Sequence, residues 1–319
     1  MGLDHPVLSS LLPVVLLIAV GWVAGRAGLM RRESVRELSN VVFMVFSSAL
    51  LFRTMSQVDV LHLDLRPVLL YFAVAIVLFV GLLRAYGGGP GGAVLGLAGM
   101  YSNAVMIGIP LVGLAYGQEG QVLLFTLISL HALVLLSMVT VVLELQVARE
   151  RAQASGEPAK LWRTLAQAVR SALLHPVPVP ILLGLLWGLT GWGLHPVLDL
   201  PLKLLGQAFG PLALLMVGLS LAHTDLMHHW QRGLRLSLVK NALHPLLMLG
   251  AGWLFGLRGL SLAVMVMAAA LPIGANVFMF SQRYRRHEDL VTAGVAVSTL
   301  GAMLSVTLVM TLLPLLPAA

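Results

Sequence analysis

Long apolar segments alternate with short polar connections along nearly the whole chain. Five segments lie in the first half, at about 6–25, 36–56, 67–86, 92–116 and 120–147, and five in the second, at about 174–192, 200–222, 234–256, 259–281 and 289–315. Each is close to the roughly 20 residues that an α-helix needs to cross a bilayer. The pattern predicts an all-α polytopic membrane protein with ten transmembrane helices.

One long polar connection, 148–170, interrupts this pattern near the middle. It predicts two five-helix domains, 1–147 and 171–319, joined by a cytoplasmic linker. Because each half has an odd number of helices, the halves insert with opposite orientation and form an inverted repeat. His5-Pro6-Val7 and His175-Pro176-Val177, which open the two halves, support the division.

Composition agrees with a membrane protein. The chain is 59% hydrophobic and only 10% charged, whereas soluble domains carry about 25% charged residues. The absence of cysteine excludes disulfides and thiolate chemistry. The net charge of +7 is explained by basic cytoplasmic loops. We therefore expect the lipid bilayer as partner, and no nucleic acid, cofactor or metal.

The basic residues predict the orientation. With the N-terminus outside, 16 of the 20 lysines and arginines lie at inner ends, and four lie at outer ends: Arg53, Arg66, Lys203 and Arg258. The positive-inside rule then places both termini outside. We expect a multi-pass protein of the cell (inner) membrane.

Two of the apolar segments contain helix-breaking residues close to an asparagine. A broken helix within hydrocarbon persists only where its backbone groups find partners in protein or in a polar cavity. It also leaves a half-helix N-terminus, whose unpaired N–H groups suit a carboxylate. Paired breaks point to a transporter's substrate site, with the predicted substrate-binding residues Asn103, Gly108, Pro110, Pro272, Gly274 and Asn276.

Few ionisable residues fall within the predicted spans. His131 lies in the middle of the fifth, where it either couples transport to protons or is a neutral histidine bonded to a neighbouring helix. His244 is similar but nearer an end. Lys240 and Glu144 lie near predicted helix ends and are expected to snorkel. The predicted spans lack paired carboxylates, a metal motif and a nucleophile with its base, so we predict that the protein is not an enzyme. A receptor that binds the ligand without moving it is a further alternative.

The stretch from Asn103 to Leu111, with Ala115-Tyr116-Gly117, resembles the fourth helix of the auxin efflux carrier family, which includes the plant PIN proteins and bacterial relatives. The stretch from Ala270 to Phe278 resembles the ninth helix, and that from Leu205 to Leu221 the seventh. The resemblance covers essentially the whole chain.

This resemblance implies helices 4 and 9 that cross at unwound prolines, with Asn103, Pro110, Pro272 and Asn276 at the crossover. It implies an elevator-like motion of helices 3–5 and 8–10 against helices 1, 2, 6 and 7. Family substrates are organic anions: auxins in plants, and small carboxylates such as malate or malonate for some bacterial members. We expect a homodimer that carries a small organic anion, with H⁺ or Na⁺ as possible coupling ions.

The chain departs from the plant pattern in three places. Ser48 stands where the family often has proline, the third helix lacks an acidic–basic pair, and the linker is short. These departures favour a prokaryotic carrier over an auxin carrier. A sodium-coupled symporter with the architecture of bile-acid transporters is the alternative, although the two breaks are poor in acidic ligands.

Overall fold

The computed structural model describes residues 6–57, 64–155, 178–223 and 230–313, and every regular element within these ranges is helical. The α-helices, in chain order, are α1 (Pro6–Arg26), α2 (Arg32–Val41), α3 (Ser48–Met55), α4 (Arg66–Ala85), α5 (Pro90–Met100), α6 (Ile109–His131), α7 (Ser137–Ser155), α8 (Pro178–Leu189), α9 (Pro196–Ala222), α10 (Trp230–Leu238), α11 (His244–Leu254), α12 (Gly259–Ala270), α13 (Ala275–Tyr284) and α14 (Glu288–Leu312).

Short π-helical turns connect several of these helices without a loop. They are Val42–Ser47 between α2 and α3, Ala104–Gly108 before α6, Ala132–Leu136 between α6 and α7, and Val239–Leu243 between α10 and α11. Pro110 and Pro245 each follow the end of such a turn. Because proline lacks an N–H and clashes with the carbonyl four residues earlier, widening of the preceding turn relieves that clash.

Five helical stretches are long and apolar enough to cross a membrane: Glu33–Met55, Arg66–Ala85, Ala104–Val147, Pro196–Ala222 and Glu288–Leu312. Shorter apolar helices are Leu12–Arg26, Pro90–Met100, Val179–Leu189 and Gly259–Ala270. A straight helix over the 44 residues of Ala104–Val147 would measure about 66 Å, twice the hydrocarbon thickness. Gly117, with φ 61° and ψ −154°, divides it. The chain is thus an all-α membrane protein.

Helices α1 and α9 pack along each other at very close range, with α3 and α8 beside them. A Cβ added at Gly21 would collide with the carbonyl oxygen of Leu215, and one at Gly218 with that of Ile18. The glycines therefore allow the two backbones to approach. Gly21 and Gly218 therefore serve helix packing.

The remaining helices form a second group of contacts. Helix α4 packs on α5 and α11, α10 packs along α14, and α12 contacts α6, α11 and α14. The middle of this group is almost completely buried, because every residue from Leu262 to Gly274 is inaccessible or nearly so. Large apolar side chains on the outer surface, such as Val77 and Leu246, are exposed, as expected of a surface that faces lipid.

Some boundaries differ from the predicted ones. Helix α7 continues to Ser155, so the first part of the predicted linker 148–170 is helical, and 156–170 lies outside the described residues. Helix α10 begins at Trp230 rather than at 234. The division into inverted repeats stays a prediction.

Candidate functional site

Helices α5 and α12 both stop deep inside the protein. Helix α5 ends at Met100, and Tyr101 leaves it with φ −89° and ψ 118°. Helix α12 ends at Ala270, and Leu271 leaves it with φ −60° and ψ 155°. We call the non-helical residues 101–103 the first interruption and residues 271–274 the second interruption.

The two interruptions hydrogen-bond directly to each other. The N–H of Asn103 donates to the carbonyl of Pro272 over 2.9 Å, and that of Gly274 to the carbonyl of Tyr101 over 2.9 Å. Ser102 and Ile273 thereby form an antiparallel bridge. Each interruption thus satisfies part of the other's backbone, as a buried helix break requires.

Side chains satisfy the carbonyls at the end of α12. Ser102 Oγ donates to Ala268 O over 2.7 Å. Lys240 Nζ donates to Ala269 O over 2.6 Å and to Leu271 O over 2.7 Å. Asn241 Nδ2 and Ser305 Oγ each donate to Ala270 O over 2.9 Å. The last carbonyls of a helix lack intrahelical partners, and here each finds a donor.

Beyond each interruption a helix begins with its N-terminus at the same place. The turn Ala104–Gly108 leads into α6, and α13 begins at Ala275. The first N–H groups of a helix have no intrahelical partner and carry positive partial charge. The arrangement therefore brings two electropositive half-helix ends to one location.

The two predicted asparagines lie at these ends. The side chain of Asn103 is half-buried and does not cap the helix that follows. Asn276 is half-buried, and its Nδ2 donates to the hydroxyl of Tyr101 over 3.1 Å. Both amides carry donors and acceptors suited to a polar ligand.

The glycines and prolines are placed differently from one another. Pro272 and Gly274 lie in the second interruption, and a Cβ at Gly274 would lie 2.6 Å from the ring of Tyr101. Gly108 faces that interruption, since a Cβ there would lie 2.7 Å from Leu271 Cδ1. Pro110 lies past the π turn, buried against Gly210 of α9. The prediction that the chain breaks at Pro110 is wrong; the break precedes the π turn that Pro110 favours.

His131 joins a buried aromatic cluster beside the first interruption. Its ring centroid lies 4.3 Å from that of Tyr101 and 6.0 Å from that of Tyr71. His244 lies 5.4 Å from Tyr71, and the Tyr71 hydroxyl is 2.9 Å from Ser102 Oγ. Within the described ranges, His131 Nε2 and both ring nitrogens of His244 have no hydrogen-bond partner.

Lys240 contradicts its predicted role. It does not snorkel but is fully buried. The prediction failed because α10 begins earlier than predicted, so Lys240 lies well inside the continuous helix, in the π turn Val239–Leu243. The feature of the sequence that could have indicated this burial is a single lysine followed by asparagine within an apolar stretch. The sequence did not point to four other residues that contribute to the site: Tyr71, Tyr101, Ser102 and Ser305.

Glu144 lies within α7 and contacts the C-terminal end of α13. Its Oε1 accepts from the hydroxyl of Tyr284 over 2.8 Å, and Glu150 accepts from Arg286 over 2.7 Å. These contacts bring together chain segments that the basic residues assign to the same, inner side. Glu144 therefore contacts the end of α13 and is not part of the site at the two interruptions.

Comparison with known proteins gives a consistent result. The sequence model of the family described as Membrane transport protein matches residues 6–310. Auxin efflux carrier component 8 of Arabidopsis thaliana is 23% identical over 256 residues, 68% of this chain and 70% of that protein. An uncharacterized transporter of Methanothermobacter thermautotrophicus is 24% identical over 317 residues, 94% of this chain and 96% of that protein. Auxin efflux carrier component 6 of Arabidopsis thaliana is 32% identical over 124 residues, but the match spans only 22% of it.

Buried, mutually bonded helix interruptions in an all-α membrane protein define the class of membrane transporters with broken helices. Within that class, the match over nearly the whole chain shows that this protein belongs to the auxin efflux carrier family.

Proposed function

We propose that this transporter carries a small organic anion, a mono- or dicarboxylate, bound where the two interruptions meet. The observation that supports this most directly is the pair of backbone hydrogen bonds between Asn103 and Pro272 and between Gly274 and Tyr101. These bonds bring the N-termini of two half-helices, each with an asparagine, to one place.

The chemistry of this place suits an anion. The half-helix ends supply N–H donors with positive partial charge, and the amides of Asn103 and Asn276 add orienting donors. Within the described ranges no carboxylate side chain lies in either interruption. A carboxylate ligand would therefore meet attraction from both helix ends without repulsion from a neighbouring acid.

The packing of the helices supports an elevator-type mechanism. The helices that pack together form two groups. The first group contains α1, α3, α8 and α9, and the second contains α4, α5 and α10–α14. In our proposal the second group moves with the bound anion, while the first stays fixed in the membrane as a homodimer. Helix α6 contacts both groups; because its N-terminal end forms part of the site, it would move with the second group and slide past the first.

Protons are the coupling ions that the site favours. His131 is 3% exposed and packs on Tyr101, whose hydroxyl binds Asn276. Tyr71, Tyr101, His244 and Lys240 are the titratable groups around it. Protonation of His131 would add positive charge beside the anion site.

The first experiment identifies the substrate. The purified protein is screened by thermal shift against mono- and dicarboxylates at two pH values, with Na⁺ or choline, and each stabilising compound is then tested for uptake into proteoliposomes. We expect at least one carboxylate to stabilise and to be transported. If no carboxylate stabilises the protein or is transported, the proposal is contradicted.

The second experiment tests the site. Asn103→Ala and Asn276→Ala are each expected to lower uptake at least about tenfold, which corresponds to the loss of one orienting interaction of about 1.4 kcal/mol. Asn40→Ala, at an exposed position of α2, is the matched control. Near-normal uptake by both site variants would refute this location.

A reporter fused to the C-terminus should read the outer side, as the charge bias predicts.

The sodium-coupled symporter of bile-acid-transporter architecture is the alternative. Unwound carbonyls bind Na⁺ in transporters with broken helices, but in this structure Leu271 O and Pro272 O of the second interruption already accept from Lys240 and Asn103. The Na⁺ and choline arms of the uptake experiment distinguish the two functions.

A further inference from the structure

Lys240 occupies the position where a free cation would be expected. None of its surface is exposed, and Nζ lies 2.6 Å from Ala269 O and 2.7 Å from Leu271 O. Both oxygens belong to the end of α12 and the start of the second interruption. These carbonyls are of the kind that coordinate Na⁺ at broken helices.

The oxygen contacts of Lys240 Nζ suit a charged ammonium group. Both N···O distances are at or below the ~2.7–2.9 Å of charge-assisted hydrogen bonds. The C-terminal end of a helix carries negative partial charge. No acidic side chain in the parts of the chain that the structure describes forms an ion pair with Lys240. The backbone carbonyls are therefore its counter-charge.

Further oxygens lie next to these carbonyls. Ala270 O accepts from Asn241 and Ser305, and Asn241 Oδ1 accepts from Ser237 Oγ over 3.0 Å. Lys240 and Asn241 both project from the π turn Val239–Leu243, where the widened backbone presents two consecutive side chains to the end of α12. The oxygens form a buried polar shell around the ammonium group.

We propose that this shell is a latent binding site for a small monovalent cation, and that the ammonium group of Lys240 occupies it as a tethered cation. In the native protein the site is filled permanently, so it cannot exchange ions with solution. Removal of the side chain leaves the carbonyl oxygens, with space for Na⁺ and the water molecules that complete its coordination. This inference uses the proposed function only to interpret a change in transport.

The test measures stability in matched salts. Lys240→Ala is purified, and its melting temperature is recorded in choline chloride, NaCl and KCl at equal ionic strength. We expect it to melt below the native protein in choline and to regain about 2–4 °C in NaCl, because an ion that binds only the folded state stabilises it. Binding of ²²Na⁺ to the same variant provides a direct second reading.

Three controls separate ion binding from general destabilisation. The native protein and Lys240→Arg, which keeps the tethered charge, should show no difference between NaCl and choline. Ser305→Ala weakens the same helix end without removing the cation, and it should show none either. A Na⁺ response of equal size in these proteins would overturn the proposal.

A second variant covers the case in which Lys240→Ala folds poorly. Lys240→Gln retains an N–H donor at this position and adds an oxygen ligand. It should therefore fold better than Lys240→Ala and still respond to Na⁺. A melting temperature that rises in NaCl but not in choline chloride, in either variant, supports the latent site. If NaCl raises the melting temperature of neither variant, the proposal is overturned. Because melting and ²²Na⁺ binding need no substrate, these results are independent of whether the protein carries an organic anion.

Discussion

The two interruptions meet in the same bridge but contribute different groups to it. The first, Tyr101-Ser102-Asn103, supplies side chains: Ser102 binds Ala268 O, Tyr101 binds Asn276, and Asn103 leaves its amide uncommitted to the following helix. The second, residues 271–274, supplies mainly backbone, which Lys240 and Ser298 satisfy from other helices, while Asn241 and Ser305 bind the last carbonyl of α12. Two breaks that meet in one bridge can therefore have different roles, one in ligand contact and the other in structural support.

The difference extends to what is placed beside each interruption. Within the described ranges, histidine nitrogens without a hydrogen-bond partner lie beside Tyr71 and Tyr101, whereas Lys240 Nζ binds the carbonyls at the start of the second interruption. We infer that titration and ligand recognition depend on the first, and the rigidity of the crossing depends on the second. The following predictions test that division.

The largest effect is expected at Gly274. A Cβ there would lie 2.6 Å from Tyr101 Cδ1 and 3.1 Å from the carbonyl oxygen of Ser102, so Gly274→Ala must displace the bridge itself. We expect a loss of about 1–3 kcal/mol in the free energy of unfolding and nearly complete loss of uptake.

The matched variant is Gly108→Ala. Its nearest contact is Leu271 Cδ1 at 2.7 Å, the far end of a flexible side chain that can change rotamer. Melting temperature and uptake should therefore fall less than in Gly274→Ala. Equal losses in the two variants would show that the second interruption has no special rigidity.

An intermediate effect is expected for His131. We predict that uptake by His131→Gln loses the pH dependence that the native protein shows. The carboxamide keeps hydrogen-bonding capacity but cannot gain a proton. His195→Gln, at an exposed position before α9, is the control and should keep the native profile. If His131→Gln also keeps it, this residue is a structural histidine.

Much of this arrangement could be predicted from the sequence, because hydropathy locates apolar helices and proline, glycine and asparagine mark their weak points. Asn103, Pro272, Gly274 and Asn276 are at or beside the interruptions for that reason. The sequence could not show that Tyr101 begins the first break, since tyrosine does not break helices and the cause is the bond to Gly274 across the bridge. Lys240 was misjudged because its burial depends on where a helix starts, and helix starts are the least reliable part of such a prediction.

The smallest effects on uptake are expected from two serines that support the second interruption and the end of α12 before it. Ser298 Oγ accepts from the N–H of Ile273 over 3.0 Å, and Ile273 is completely buried. Ser298→Ala leaves that donor without its side-chain partner and should cost about 1–3 kcal/mol in unfolding free energy. Ser305 shares Ala270 O with Asn241, so Ser305→Ala leaves the carbonyl bonded and should cost about 1 kcal/mol or less. Chemical denaturation of both variants measures the difference. A larger loss for Ser305→Ala would mean that Asn241 cannot hold the end of α12 alone, and that the support of the second interruption is shared more widely than the native contacts imply.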